Sequence, residues 1–366
     1  MPEIISKSGF ENLFIADIPL LDVRSPKEFN RGSFPNATNL PLLTDDERAA
    51  VGIRYKKAGP KAAISLGYEL INVGKKQTLL EHWQTYLDKN PNALLYCFRG
   101  GLRSEIVQQW LIESGTPITR IEGGYKAMRR FLIDIIETVT VQKNIVVLAG
   151  KAGSGKTHLI NQLRYGIDLE GCARHRGSAF GRRINLQPTP INFENSLSIQ
   201  FLKLPFKRMK TLFLEDESRA IGAVSIPVSL FKVMKEAPLA FIEESLDNRV
   251  EIIFNDYVIS NYLEYKQSAP KEAEERFTKF LLTSLEKIRR RLGDEYYNDV
   301  REIMQKALAC KNKEEAHGLH RKWIRNLLET YYDPMYEYQL SKKMHRLIFR
   351  GEKCEFLNWA KEIEEG

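Results

Sequence analysis

The chain has 366 residues, 43% of them hydrophobic and 28% charged, which supports two or three ordinary cores at about 100–200 residues per domain. No apolar run approaches the ~18 residues of a membrane span, and the N-terminal MPEIISKSGF lacks the basic-then-apolar order of a secretory signal. A formal charge of +8 favours a polyanionic partner. The four cysteines are far apart without a C-x-x-C pair, which argues against a zinc or disulfide framework and for the cytoplasm.

In chain order, Leu20–Val23 is expected as a buried strand, and Ser25-Pro26 opens a helix with proline in its first turn. GSFPNATNLP (residues 32–41) is turn-rich with a short apolar return, and residues 42–77 read as a helical insertion. Ala93–Tyr96 is a second buried strand ending on Cys97, followed by Phe98-Arg99-Gly100-Gly101-Leu102-Arg103-Ser104. A helix then shows Ile106, Val107, Trp110 and Leu111 on one face, with Gly115 past its end. A cysteine between a strand and a helix N-terminus, with Arg99 and Arg103 nearby, sits in a field that favours the nucleophilic thiolate. Met128, Phe131, Leu132 and Ile135 form a helical stripe, and a domain boundary is expected near residue 138.

NIVVLAGKAGSGKT (residues 144–157) follows, and Gly150, Gly155, Lys156 and Thr157 match G-x-x-x-x-G-K-[ST] after a short β-rich run. Such a strand, turn and helix bring backbone N–H groups around phosphate oxygens. The phosphate contacts are expected from Gly150, Gly153, Ser154, Gly155, Lys156 and Thr157, with Thr157 ligating magnesium. The helix is expected to run to about Tyr165. DLEGCARHRGSAFG (residues 168–181) then suits a loop over an anion. Eight cations stand against one acid, Glu194, in the segment from Arg174 to Lys210: Arg174, Arg176, Arg182, Arg183, Lys203, Lys207, Arg208 and Lys210. Of these, Arg174, Arg176, Arg182 and Arg183 are the candidate contacts to a nucleic acid or another anion. Leu212–Leu214 is a buried strand, and Glu215 or Asp216 at its carboxyl end is placed to organise magnesium. From Pro270 the pattern is helical, and YYDPMY (residues 331–336) follows a basic and aromatic stretch that suits either base stacking or a core helix.

DVR at residues 22–24, the GSFPNATNLP return, the Cys97 loop and GGYKAMR at residues 123–129 together resemble the rhodanese family, whose loop cysteine carries sulfur or selenium. Cys97 to Arg103 is C-x5-R, one residue longer than the usual sulfurtransferase loop and equal to the spacing of cysteine-dependent phosphatases. Tyr96 stands where those phosphatases generally have His. The longer loop points away from thiosulfate and towards a phosphate-bearing donor.

The pairing of this domain with a phosphate loop, together with DLEGCARHRGSAFG, LEDESRAIG and YYDPMY, resembles the tRNA 2-selenouridine synthase family over nearly the whole chain. The resemblance implies an α/β protein. Its parts are a rhodanese-like parallel-sheet domain (1–138), a P-loop NTPase-like α/β domain (139–269) and a helical C-terminal region packed on the P-loop domain (270–366). It implies a transferase that exchanges the sulfur of wobble 2-thiouridine in tRNA for selenium from selenophosphate, by way of S-geranylation from geranyl diphosphate. Cys97 would receive selenium, with Arg99, Gly100, Gly101 and Arg103 binding selenophosphate. The P-loop motif alone leaves ATP open as its ligand, with Mg2+ as a companion. A selenophosphate-producing enzyme is the expected protein partner. Two other readings use the same residues: an ATP-dependent tRNA sulfurtransferase with a Cys97 persulfide, and a non-catalytic nucleotide-gated tRNA-binding module.

Overall fold

The computed structural model describes residues 3–205 and 208–365. Lys207 of the basic segment lies outside them. The chain forms two compact units, one from residues 3–138 and 189–205, the other from 139–188 and 208–365.

The first unit is a five-stranded, all-parallel sheet in the order β1-β5-β4-β2-β3, from β1 (Ile4–Ile5), β2 (Leu20–Asp22), β3 (Ala37–Asn39), β4 (Leu94–Tyr96) and β5 (Thr119–Ile121). β2 and β4 are buried throughout, as expected of strands covered on both faces. One face packs on Trp83, Leu87, Val107 and Trp110, the other on Phe10, Phe14, Met128 and Leu132. Ser25 caps the helix Pro26–Arg31 in a capping box with Glu28. The DVR residues fix the centre of this unit. Buried Arg24 donates to both oxygens of Asp22, at 3.0 and 2.6 Å, and to the carbonyl of Gly32 at 2.8 Å. Its guanidinium also lies 3.9 Å from the ring centroid of Tyr125.

The insertion is two helices. Asp45–Leu70 breaks at Gly59, whose φ of 81° places it in the left-handed region just before Pro60. Val73–Lys89 buries Leu80, Trp83 and Leu87. The helix Pro190–Lys203 also belongs to this unit. It buries Ile199 and Leu202 beside Phe14, and its Asn192 and Asn195 hold the backbone of Ser33 from both sides, at 2.7 Å each.

The second unit is another all-parallel sheet, ordered β12-β11-β6-β8-β7, with β6 (Asn144–Gly150), β7 (Gly166–Ile167), β8 (Thr211–Glu215), β11 (Leu239–Ile242) and β12 (Leu347–Gly351). A small antiparallel pair, β9 (Ala220–Ile221) and β10 (Val224–Ser225), stands apart. The helix after the phosphate loop covers only Lys156–Ile160, not the run to Tyr165 that the pattern suggested. Turns follow, closed by Gly166, whose Cβ would stand against the carbonyl of Ile160.

Beyond residue 270, helices Ala273–Glu286, Asp294–Ala309 and Lys313–Leu327 share a core of Phe277, Leu281, Val300, Met304 and Trp323. The C-terminal region is not only helical: β12 extends the parallel sheet at its edge, and the helix Lys353–Glu365 buries Phe356 and Ala360 against it. No helix among the described residues is long and apolar enough to cross a membrane.

Candidate active sites

Cys97 follows β4 directly, so its position is set by the carboxyl edge of the first sheet. It is buried, and its Sγ lies 3.2 Å from the Ser104 Oγ at the start of the helix Leu102–Glu113. The loop turns at Gly100 (φ 64°), where a Cβ would stand 2.6 Å from the amide nitrogen of Gly123 and 2.7 Å from the carbonyl oxygen of Ile121. The glycines of GGYKAMR are therefore the floor of the Cys97 loop. Tyr125 and Lys126 donate their amides to the carbonyls of Cys97 and Phe98.

Arg103 is half-buried and paired with Glu28 through contacts of 2.5 and 3.2 Å. Burial opposes ionisation of Glu28, but the Arg103 guanidinium outweighs it and holds that carboxyl below its ordinary range. Arg99 is exposed and makes no ion pair among the described residues.

The phosphate loop lies at the carboxyl end of β6, where a parallel sheet places its ligands. Gly153 and Gly155 take φ of 79° and 74°, and a Cβ on Gly153 would stand 2.7 Å from the carbonyl of Arg249. The Lys156 Nζ donates to the Gly150 carbonyl at 2.7 Å. Ser154 is buried, and its Oγ has no hydrogen-bond partner among the described residues.

Thr157 donates its hydroxyl to Glu215 at 2.7 Å and lies 3.3 Å from Glu170. Asp216 instead accepts two bonds from Lys343, at 2.7 and 2.8 Å. Glu215 is thus the carboxylate beside the loop threonine. Sequence reasoning missed Glu170 and Glu217. Burial first, then the neighbouring carboxylates, push Glu170 and Glu215 up to about 8 and Glu217 up to about 7. A site that resists its own negative charge suits a cation. Among the described residues no three His, Cys, Asp or Glu side chains are arranged to cage a metal. The pair Thr157 and Glu215 does fit magnesium, which keeps most of its waters and takes one or two protein ligands.

The YYDPMY stretch, equally readable as a base-stacking surface, packs on the phosphate loop. Tyr336 accepts a 2.8 Å hydrogen bond from the Gly150 amide. Asp333 grips Arg249 at 2.7 and 2.6 Å, and Arg249 in turn donates to the Ala152 carbonyl at 3.3 Å. Lys151 pairs with Glu337 at 2.6 Å.

A cavity of about 1160 Å3 opens over this loop, with Arg176 and Arg183 on its wall. Arg176 is positioned by Asn261 at 2.8 Å and by the ring of Tyr257. Arg174 and Arg182 are exposed and do not line the cavity. Apolar side chains share that wall, namely Phe180, Ile253, Trp323, Ile324, Leu327 and Leu328, and Ile253 packs against the phosphate loop at Gly153.

The family model described as "tRNA 2-selenouridine synthase AAA domain" matches residues 143–365, and that of the "Rhodanese-like domain" matches residues 9–130. The chain is 45% identical to tRNA 2-selenouridine synthase of Photobacterium profundum, covering 96% of each sequence. It is 47% identical to the enzyme of that name from Hahella chejuensis, over 93% of this chain and 90% of the relative. For that of Shewanella oneidensis the identity is 43%, over 99% and 96%. The chain therefore belongs to the tRNA 2-selenouridine synthases, a family of tRNA-modifying transferases built from a rhodanese-like and a P-loop-type domain.

Proposed function

We propose that this enzyme replaces the sulfur of wobble 2-thiouridine in tRNA by selenium from selenophosphate, and that it first alkylates that sulfur with geranyl diphosphate. A thiocarbonyl sulfur is a poor leaving group until alkylated, so a prenyl donor gives the phosphate loop a chemical purpose. The observation that carries this reading is a single cavity whose wall joins the phosphate loop, Arg176 and Arg183 to a set of apolar side chains. A prenyl diphosphate combines an anionic head with a hydrocarbon chain.

In geranylation the tRNA sulfur attacks the prenyl carbon and diphosphate leaves. Lys156 and the amides of Gly153–Thr157 neutralise the departing charge from positions fixed before reaction. Thr157 and Glu215 would hold magnesium, which supplies further charge neutralisation at the diphosphate. In selenium delivery Cys97 is the required nucleophile, and Arg99 and Arg103 bind the phosphate of selenophosphate. A selenophosphate-producing enzyme is the partner that this substrate calls for.

The test is mass spectrometry of tRNA nucleosides after incubation with geranyl diphosphate and selenophosphate, separately and together. Geranyl diphosphate alone should yield S-geranyl-2-thiouridine, and both donors should yield 2-selenouridine. A requirement for ATP with no geranylated nucleoside would replace this reading by ATP-dependent activation of the base.

A further inference from the structure

Selenium delivery at the Cys97 loop has an electron-balance problem that the backbone of the loop answers. The carbonyls of Cys97, Phe98, Gly100 and Gly101 all accept from the protein: from the amides of Tyr125, Lys126, Ser104 and Glu105, and from the Arg120 guanidinium. The six amides from Phe98 to Arg103 donate to no acceptor among the described residues. The loop has turned its oxygens into the protein and left its N–H groups for a ligand. Four donors ahead of the helix Leu102–Glu113 and two in its first turn exceed what one selenium atom needs, and they suit the three oxygens of a phosphoryl group.

We infer that the Cys97 thiolate attacks the phosphorus of selenophosphate, not its selenium, and that the loop releases hydrogen selenide beside the tRNA base. The inference rests on the proposed function for its donor and its S-geranyl acceptor. In the first step the S–P bond forms and the P–Se bond breaks, its electron pair leaving with selenium, which departs as hydrogen selenide anion. The selenide adds at C2 of the S-geranyl base, the C–S bond breaks and geranylthiolate leaves. Water then attacks the phosphorus of phosphocysteine, the S–P bond breaks, phosphate leaves and the thiolate is restored. No atom changes oxidation state, so no oxidant or reductant is needed. Transfer of selenium to the sulfur would instead leave the bond pair on phosphorus. It would release phosphite and require a further thiol to free the selenium.

Ser104 acquires a role on this path. Its buried hydroxyl, 3.2 Å from Sγ and now donating to the Gly101 carbonyl at 2.9 Å, can turn to stabilise the thiolate that leaves phosphorus in the last step. Ser104→Ala should slow that step by about 10–100-fold, the worth of one hydrogen bond to a charged group. Phosphocysteine should then accumulate.

The experiment mixes the full-length protein with selenophosphate and geranylated tRNA, quenches it under denaturing conditions and reads the Cys97 peptide by mass spectrometry. In parallel, 31P NMR identifies the phosphorus product. Expected are a phosphoryl adduct on Cys97 in Ser104→Ala, its loss in Ser104→Thr, and phosphate as product. A selenium adduct on Cys97, phosphite as product, or selenation by Ser104→Ala with an unmodified cysteine each overturns the inference. Geranylation from geranyl diphosphate alone, assayed in the same preparations, reports separately on the proposed function.

Discussion

Neighbouring residues here have different fates, and the fates predict different phenotypes. Glu215 meets the phosphate-loop threonine, whereas Asp216 meets Lys343. Glu215→Gln should therefore abolish any magnesium dependence of geranylation, while Asp216→Asn should leave that dependence in place, as measured by rate against Mg2+ concentration. Lys156→Ala removes one preorganised donor to the leaving diphosphate and should cost geranylation about 100-fold or more. Its thermal midpoint should stay near that of the parent, because the half-buried amine donates to the loop carbonyls of Gly150 and Lys151 and packs in no apolar core. The same variant should still selenate tRNA that was geranylated beforehand, and Cys97→Ser should do the converse. Nucleoside mass spectrometry on both variants with both starting tRNAs decides this.

The carboxylates carry a pH signature with a definite sign. Glu170 and Glu215 rise in the fold from 4.5 to about 8, so the folded state holds protons that the unfolded chain has lost. Stability of the metal-free protein should accordingly fall as pH rises from about 4.5 to about 8. Magnesium should reverse much of that fall, and Glu170→Gln should flatten it; thermal melts across pH with and without Mg2+ test both. Burial, then Asp168 and Glu215, push the Cys172 thiol up to about 12, which makes it inert at neutral pH.

At the scale of elements, the C-terminal helices are the outer half of the phosphate site. Asp333 opens the helix Asp333–Ser341 and neutralises Arg249, whose side chain is only 4% exposed. Asp333→Ala would leave that charge buried without its partner and should cost about 3–5 kcal/mol, read from the denaturation transition of the second unit. The strands flanking both sites were legible because a buried parallel strand is a continuous apolar run; Leu94–Tyr96 and Asn144–Gly150 announce themselves this way. β12 was not, because at the sheet edge LIFRG is half exposed and mixes polarity. Motif spacing revealed the phosphate loop and the Cys97 loop, since local backbone geometry needs glycines at fixed places. Tyr336 was illegible because it reaches the phosphate loop from a helix 186 residues further along the chain, and only the folded sheet brings it there. Glu170 and Glu217 lie close in sequence to residues that were expected at the site, but no spacing in the chain says that their carboxylates turn inward.

At the scale of the whole molecule, the basic segment divides by exposure. Arg176 and Arg183 line the cavity, while Arg174 and Arg182 face solvent. Reversing Arg174 and Arg182 to Glu should weaken tRNA binding and lower the salt slope by about one per lost phosphate contact, without changing the affinity for geranyl diphosphate. Arg183→Ala should do the opposite. Filter binding at several salt concentrations and ligand titration separate the two.

The helix Pro190–Lys203 has a consequence for how the protein is made. It completes the core of the first unit with Ile199 and Leu202, yet the ribosome reaches it only after the strand Asn144–Gly150 and the phosphate loop have been synthesised. At ~5–20 residues per second, the wait between the end of residue 138 and this helix lasts a few seconds. For that interval the nascent first unit keeps an apolar face exposed, a natural target for a chaperone. A gene truncated at residue 138 would make that interval permanent.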